Sequence, residues 1–191
     1  MKTKYVLCAG LPLVLAAFLL SSCAGLSRLW GGSPAKTFGG FSYKIVGSAG
    51  AQTVTITGYT GAGGAAEIPA VIEEHPVTAV EKDAFDKLTT LTSLTIPASV
   101  ALIAESVDKA EDAFDGATGL TSITVDEANS VYSSADGVLF NKAKTRLFLY
   151  PEGKSGGYVI PSSVTDIVYC AFEDCAKLTD ITIPDSVTSI G

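Results

Sequence analysis

The 191-residue sequence holds one histidine, one tryptophan and one methionine, and its Lys and Arg are outnumbered 13 to 20 by Asp and Glu. With His75 the only imidazole, a nucleophile, a base and an orienting acid cannot be assembled elsewhere in the chain, which points away from an enzyme. The Cys-x-x-Cys and His-x-x-x-His spacings that zinc uses are absent as well, so neither a metal nor a cofactor is expected. No stripe of Lys and Arg gathers to release phosphate counterions, which excludes nucleic acid as the partner. Long apolar runs are missing beyond the first twenty residues. The run there, Tyr5 to Leu20, is broken only by Gly10 and Pro12. Its longest stretch would rise about 22 Å as a helix, against roughly 30 Å of hydrocarbon core. Preceded by Lys2 and Lys4, it reads as the n-region and h-region of an export signal and not as a membrane span.

The run ends in Leu20-Ser21-Ser22-Cys23, which resembles the lipobox of bacterial lipoprotein precursors: an apolar residue, two small ones, then cysteine. The resemblance implies cleavage after Ser22 and a lipid on Cys23, so that residues 1–22 are a leader; an ordinary secretory leader with an incidental cysteine is the alternative. Cys8 falls inside the leader. Thirteen basic residues less the two leader lysines leaves 11 against 20 acidic ones, a net charge of −9. That charge does not favour docking on anionic lipid, so membrane contact is expected through the acyl chains at Cys23 alone. Residues 23–40, rich in Gly, Ser and Ala, read as a flexible tether in which Trp30 stands out as a bulky exception.

From residue 41 to 191 the chain repeats. Ala84-Phe85 through Leu91, Leu94 and Ile96 aligns without gaps on Ala113-Phe114 through Leu120, Ile123 and Val125, and on Ala171-Phe172 through Leu178, Ile181 and Ile183; Phe to the last aliphatic is 11 residues each time. A second apolar pair comes after each block, seen as Val100/Ile103, Val164/Ile167 and Val187/Ile190, and earlier as Val77/Val80. Leu-x-x-Leu-x-Ile ends as a strand in which Leu94 and Ile96 point inward and Ser93 and Thr95 outward. Ala-Phe with its polar followers suits a short helical or 3-10 turn. Length varies only near Glu73 to Pro76 and in Ala104 to Ala110, where extra residues are expected to loop out from one face. The apolar groups of one coil cannot offset the ordering of its own backbone, so coils must stack.

Two further segments frame the repeats. Asp136 to Pro151 places two apolar runs around a polar turn, a hairpin pattern, and Thr53 to Thr57 alternates as a strand where an N-terminal cap is needed. The blocks resemble the BspA-like, or treponemal, class of bacterial leucine-rich repeats. The marks are Ile-Pro-x-Ser-Val at Ile96 to Val100, Ile160 to Val164 and Ile183 to Val187, the Ala-Phe pairs, and Tyr150-Pro151. The resemblance implies one domain, a β-rich leucine-rich-repeat solenoid with short helical or 3-10 turns and a right-handed coil. It also implies a surface lipoprotein that binds protein or acts in adhesion. Departures are Asp126 in a proline slot, the excess at Ala104 to Ala110, and Leu88 and Ala117 where cysteine is common.

The candidate sites are few. His75 beside Glu73 and Glu74 reads as a solvated loop, and Gly58 to Gly64 as a turn, since no Gly-Lys-Ser/Thr comes after it. Asp108, Glu111, Asp112 and Asp115 lack the spacing of a calcium loop. Cys175 fills an inward slot as a small hydrophobe, while export leaves a Cys170 to Cys175 disulfide open, bracing one turn. Binding, if any, falls to the outward rows Ser93, Thr95, Ser122, Thr124, Asp180 and Thr182, set about 4.8 Å apart from coil to coil on one continuous surface. The same rows also read as a plain hydrated sheet, because aromatic and arginine anchors are scarce. Two functions fit: a protein-binding or adhesion module, and a structural envelope lipoprotein without a diffusible ligand. At Thr188 to Gly191 the pattern calls for a further block, so the last coil is expected to expose apolar side chains and to self-associate or dock, unless the chain is a fragment of a longer protein.

Overall fold

The computed structural model describes residues 35–191; the leader, Cys23, Trp30 and most of the tether lie outside the described residues. The chain opens with an antiparallel meander of β1 (Lys36–Phe38), β2 (Phe41–Val46) and β3 (Thr53–Tyr59). Gly39 and Gly40 alone join the first two strands, both at positive φ (57° and 88°), the geometry a two-residue hairpin needs to match strand twist. Phe41, Tyr43, Val54 and Ile56 turn their side chains into the core, so this meander covers the N-terminal end of the repeats.

Each repeat then lays down two short strands. β4 (Gly64–Glu67), β5 (Val71–Ile72), β6 (His75–Val80), β7 (Leu91–Ile96) and β8 (Leu102–Ile103) come first. A 3-10 segment at Val107–Ala113 precedes β9 (Ser122–Val125), β10 (Tyr132–Ala135), β11 (Val138–Asn141) and β12 (Arg146–Leu149). Last come β13 (Gly156–Val159), β14 (Asp166–Ile167), β15 (Leu178–Thr182) and β16 (Ser189–Ile190). Pairing sorts them into two parallel ladders. The first runs β3-β6-β8 and, further along the chain, β12-β14-β16; the second runs β4-β7-β9 and then β13-β15. The antiparallel β10-β11-β12 unit stands between the halves, the hairpin expected of Asp136 to Pro151.

The strand alternation obeys the sequence. Leu91, Leu94 and Ile96 are fully buried in β7, as are Val77, Val80, Val100 and Ile103 of the apolar pairs. Phe85 lies flat on Phe114, ring centroids 5.3 Å apart, and Tyr150 takes the same slot in the hairpin coil, 5.2 Å from Phe172.

The Ala-Phe segments are short turns, as expected: Lys82 to Lys87 is a run of turns, and Ala113 closes a 3-10 segment. Asp83, Phe85 and Lys87 donate to the carbonyls of Asp112, Ala113 and Asp115 in the next coil (2.8–2.9 Å), while Ala84 and Asp86 donate three residues back to Glu81 and Asp83 (3.4 and 3.2 Å), so the turn does not continue as a helix. The extra residues at Ala104 to Ala110, in turn, do not simply loop out. They enter the 3-10 segment, whose Ala110 and Ala113 are fully buried. Small side chains let this segment pack against both β8 and β12, where the first ladder is interrupted. Arg146 on β12 ties it down, pairing with Asp108 of the segment and, at 2.6 Å, with Asp166 of β14.

Asp126 has a physical reason to replace proline. Its backbone N–H donates to the Ile96 carbonyl at 2.9 Å, a bond proline cannot make, and its Oδ1 accepts from Ala128 at 2.8 Å to start a turn. That turn delivers Asn129, fully buried, whose amide donates to the Pro97 and Val100 carbonyls and whose Oδ1 accepts from Val131 and Tyr132, all within 2.8–2.9 Å. The Tyr132 hydroxyl accepts from the Ile103 amide at 3.0 Å, so the hairpin is locked to the coil before it.

Candidate binding surface

The outward rows of the second ladder are four residues together and two apart. Ser93 pairs with Ser122 and Thr95 with Thr124 across β7 and β9, continued toward the N-terminus by Ala65 and Glu67 of β4. Asp180 and Thr182 sit in β15, in a separate two-stranded sheet beside Gly157 and Val159. The hairpin closes the β9 edge between them: Ile123 donates to the Gly137 carbonyl at 2.9 Å and Val125 to Ser134 Oγ at 3.0 Å. Gly137 is required there, since it has φ 78° and a Cβ on it would come within 2.8 Å of Ser122 Oγ. The six residues therefore do not form one continuous surface. The four that do are flat, hydroxyl-rich and partly shielded.

The first ladder carries a different row. Register places Lys44, Thr55, Ala79 and Leu102 side by side across β2, β3, β6 and β8. They floor a cleft of about 560 Å³ whose walls are Val46, the Glu81–Asp83 turn and the Ala104–Glu105 turn. Lys44 and Glu81 form an ion pair across one wall. Leu102 and Val46 are over a third exposed, whereas Thr55, although polar, is only 8% exposed and lines the floor. The volume is in the range of small-ligand and side-chain pockets, and a partly exposed leucine on a recessed floor supplies the apolar anchor that the second ladder lacks. Sequence reasoning missed this row for two reasons. Half of it comes from the N-terminal meander, outside the repeat, and β8 is two residues long. One signal was available: Leu102 is a large apolar residue at the outward position between buried Val100 and Ile103.

A second cleft, of about 350 Å³, lies alongside and is lined by Glu111, Asp112, Asp115, Glu152 and Glu173. Burial, reinforced by neighbouring carboxylates, holds the Glu111 and Glu152 carboxyls above their ordinary range. The acidic run at 108–115 is thus divided, with Asp108 bound to Arg146 and the rest turned to the cleft. Among the described residues, no three His, Cys, Asp or Glu side chains converge as metal ligands.

Glu73 and Glu74, at φ 49° and 66°, form the two-residue turn between β5 and β6, and His75 begins β6. Glu73 accepts from Lys36 and Tyr43 at 2.7 Å each, which lowers its pKa. Cys170 and Cys175 are both free thiols. Cys175 is half-buried against the Tyr150 and Glu173 carbonyls, 3.5 and 3.3 Å away, and burial pushes its thiol up to about 12. Such a thiol stays protonated and unreactive.

Parallel two-strand coils, a stacked aromatic slot and an inserted hairpin define a bacterial leucine-rich-repeat architecture. The model of the BspA type leucine rich repeat region matches residues 66–141 and 148–191, in six copies, and the chain belongs to this family. Among solved structures the chain is similar to a leucine-rich repeat protein from Eubacterium ventriosum, with 27% identity over 67% of this chain and 32% of that one and a TM-score of 0.50. It is also similar to the T. pallidum leucine rich repeat protein (24% identity, 83% and 64% covered, TM-score 0.45). A third likeness is to a leucine rich cell surface protein from Faecalibacterium prausnitzii (19%, 85% and 73%, 0.38). The chain spans about a third of the length of the E. ventriosum protein and 64% of the T. pallidum one. None of the curated proteins matches the chain.

Proposed function

We propose that this protein is a non-catalytic binding module of the bacterial cell surface, anchored by lipid on Cys23 after removal of residues 1–22. The tether ends by residue 35, since Lys36–Phe38, expected within it, already pairs as β1, and the rest is a right-handed repeat solenoid that binds protein, as in adhesion. The observation that carries the binding role is the cleft over the first ladder, whose floor sets the partly exposed Leu102 near the buried Thr55, with Val46 exposed on its wall. Support for the anchor comes from the Leu20 to Cys23 lipobox. Among the described residues no helix is long and apolar enough to cross a membrane.

The test is a pull-down of envelope and extracellular proteins with the lipid-free domain. Leu102→Asp should abolish capture, whereas joint alanine substitution of Ser93, Thr95, Ser122 and Thr124 should leave it largely intact; the reverse pattern refutes the cleft. Protease added to intact cells separates this reading from a structural envelope role, because a protein sheltered from protease cannot be an adhesin. Cys23→Ser should release the protein from the membrane fraction.

A further inference from the structure

Lys82 and Asp83 line both clefts, so the two adjoin across that turn as a groove in two halves of different character. One half has an apolar floor of Ala79, Leu102 and Ala104, with Val46 beside it. The other presents Asp83, Glu111, Asp112, Asp115, Glu152 and Glu173, with Lys82 as the only cation among the lining residues. Inside the protein these carboxylates are poorly served. Asp112 lies 3.8 Å from Lys109, and Glu152 Oε1 accepts from the Gly116 amide at 2.8 Å. Oε2 of Glu111 and Oε2 of Glu152 are buried without any hydrogen-bond partner. A buried carboxylate oxygen with no donor is unfavourable, and the surrounding negative charge adds to that cost. Donors that carry positive charge would relieve both at once.

We infer that the groove accepts an extended segment of a partner protein in which an apolar side chain is followed by arginines or lysines. The apolar side chain rests on Leu102 and Val46, and the cationic heads enter between Glu111, Glu152 and Glu173. The inference rests on the protein-binding reading above and adds the chemistry of the partner. Arginine fits better than lysine, because its forked donors match carboxylate oxygens in pairs. The carboxylates also steer a cationic segment toward the groove, an effect that added salt screens.

The probe is a set of labelled synthetic peptides that share one apolar half and end either in arginines or in glutamates, read by fluorescence anisotropy on the lipid-free protein. The arginine peptide is expected to bind roughly tenfold or more tightly than the glutamate peptide. Its affinity should fall roughly fivefold or more in Glu111→Gln/Glu152→Gln, in Leu102→Asp, and on raising salt. Glutamine keeps the shape of both side chains and the acceptor for Gly116, and circular dichroism confirms that each variant is folded. Equal binding of the two peptides, or unchanged affinity in the variants, overturns the inference. If neither peptide binds while the pull-down still recovers a partner that Leu102→Asp loses, the partner chemistry is wrong and the protein-binding reading stands. If capture fails as well, both fall.

Discussion

The two ladders are built by the same repeat and end with opposite surfaces. On the second, β4, β7 and β9 put Ala65, Ser93 and Ser122 in one outward row and Glu67, Thr95 and Thr124 in the next, flat and without an anchor. On the first, the outward row contains Lys44 and Thr55 from the meander and Leu102 from a two-residue strand, and turns rise beside it to make a cleft. Repetition therefore specifies the inward side chains and the strand pairing. The elements flanking a ladder decide whether its outer face can recognise anything. The first ladder is flanked by a cap hairpin and an inserted 3-10 segment, whereas the second starts at a bare strand and is closed by β10–β11.

The link between the ladders is where the contrast breaks most easily. Asn129 ties the Pro97 to Val100 connection between β7 and β8 to the start of the hairpin. Asn129→Ala would orphan buried groups on both sides, and a loss of about 3 kcal/mol or more is expected in urea unfolding. Arg146→Ala frees the 3-10 segment from β12 and β14 but removes a partly exposed pair, so about 1 kcal/mol is expected, with faster hydrogen exchange in Val107–Ala113. Ile190→Ala, at 63% exposure, should cost roughly 0.5 kcal/mol, far less than the roughly 2–4 kcal/mol expected for Ile103→Ala at the equivalent buried position.

The acidic cleft gives a pH signature of definite sign. Glu111 and Glu152 have raised carboxyl pKa values in the folded state, so between the unfolded value of 4.5 and the folded one the native protein holds more protons than the unfolded chain. Stability contributed by these groups must rise as pH falls through the folded pKa and is complete below 4.5. Glu73 acts in the opposite sense, since its lowered pKa makes its contribution disappear on acidification. Thermal melts of Glu111→Gln/Glu152→Gln should therefore show a smaller gain on moving from neutral to mildly acid pH than wild type does. An unchanged slope would mean that the two carboxylates do not feel each other's surroundings as the cleft implies.

The repeat and its core were legible in the sequence because burial has a period. Leu94, Ile96, Val100 and Ile103 recur at fixed spacing, and the structure buries all four. The hairpin of β11 and β12 was legible in Asp136 to Pro151 as two apolar runs around a polar turn, whereas β10 was not. The contacts between coils were not. The Ala-Phe turns look helical from their own residues, yet their amides are claimed by carbonyls 28 or 29 residues further on, as in Phe85 to Ala113. The insertion at Ala104 to Ala110 reads as a loop because extra residues at one place in the period can leave from one face, yet Ala110 and the adjoining Ala113 are small enough to pack out of solvent. The outward surface depends on which coils are neighbours, so a row that is regular in sequence, Ser93 to Thr182, is split by a hairpin in space.

The central claim is that recognition belongs to the first ladder and not to the hydroxyl rows of the second. Amide hydrogen exchange of the domain, free and bound to a captured partner, tests it directly. Slower exchange on binding is expected in Glu81–Asp83 and Ala104–Glu105, with residues 91–96 and 122–125 unchanged. Slowing confined to β7 and β9 would contradict the account.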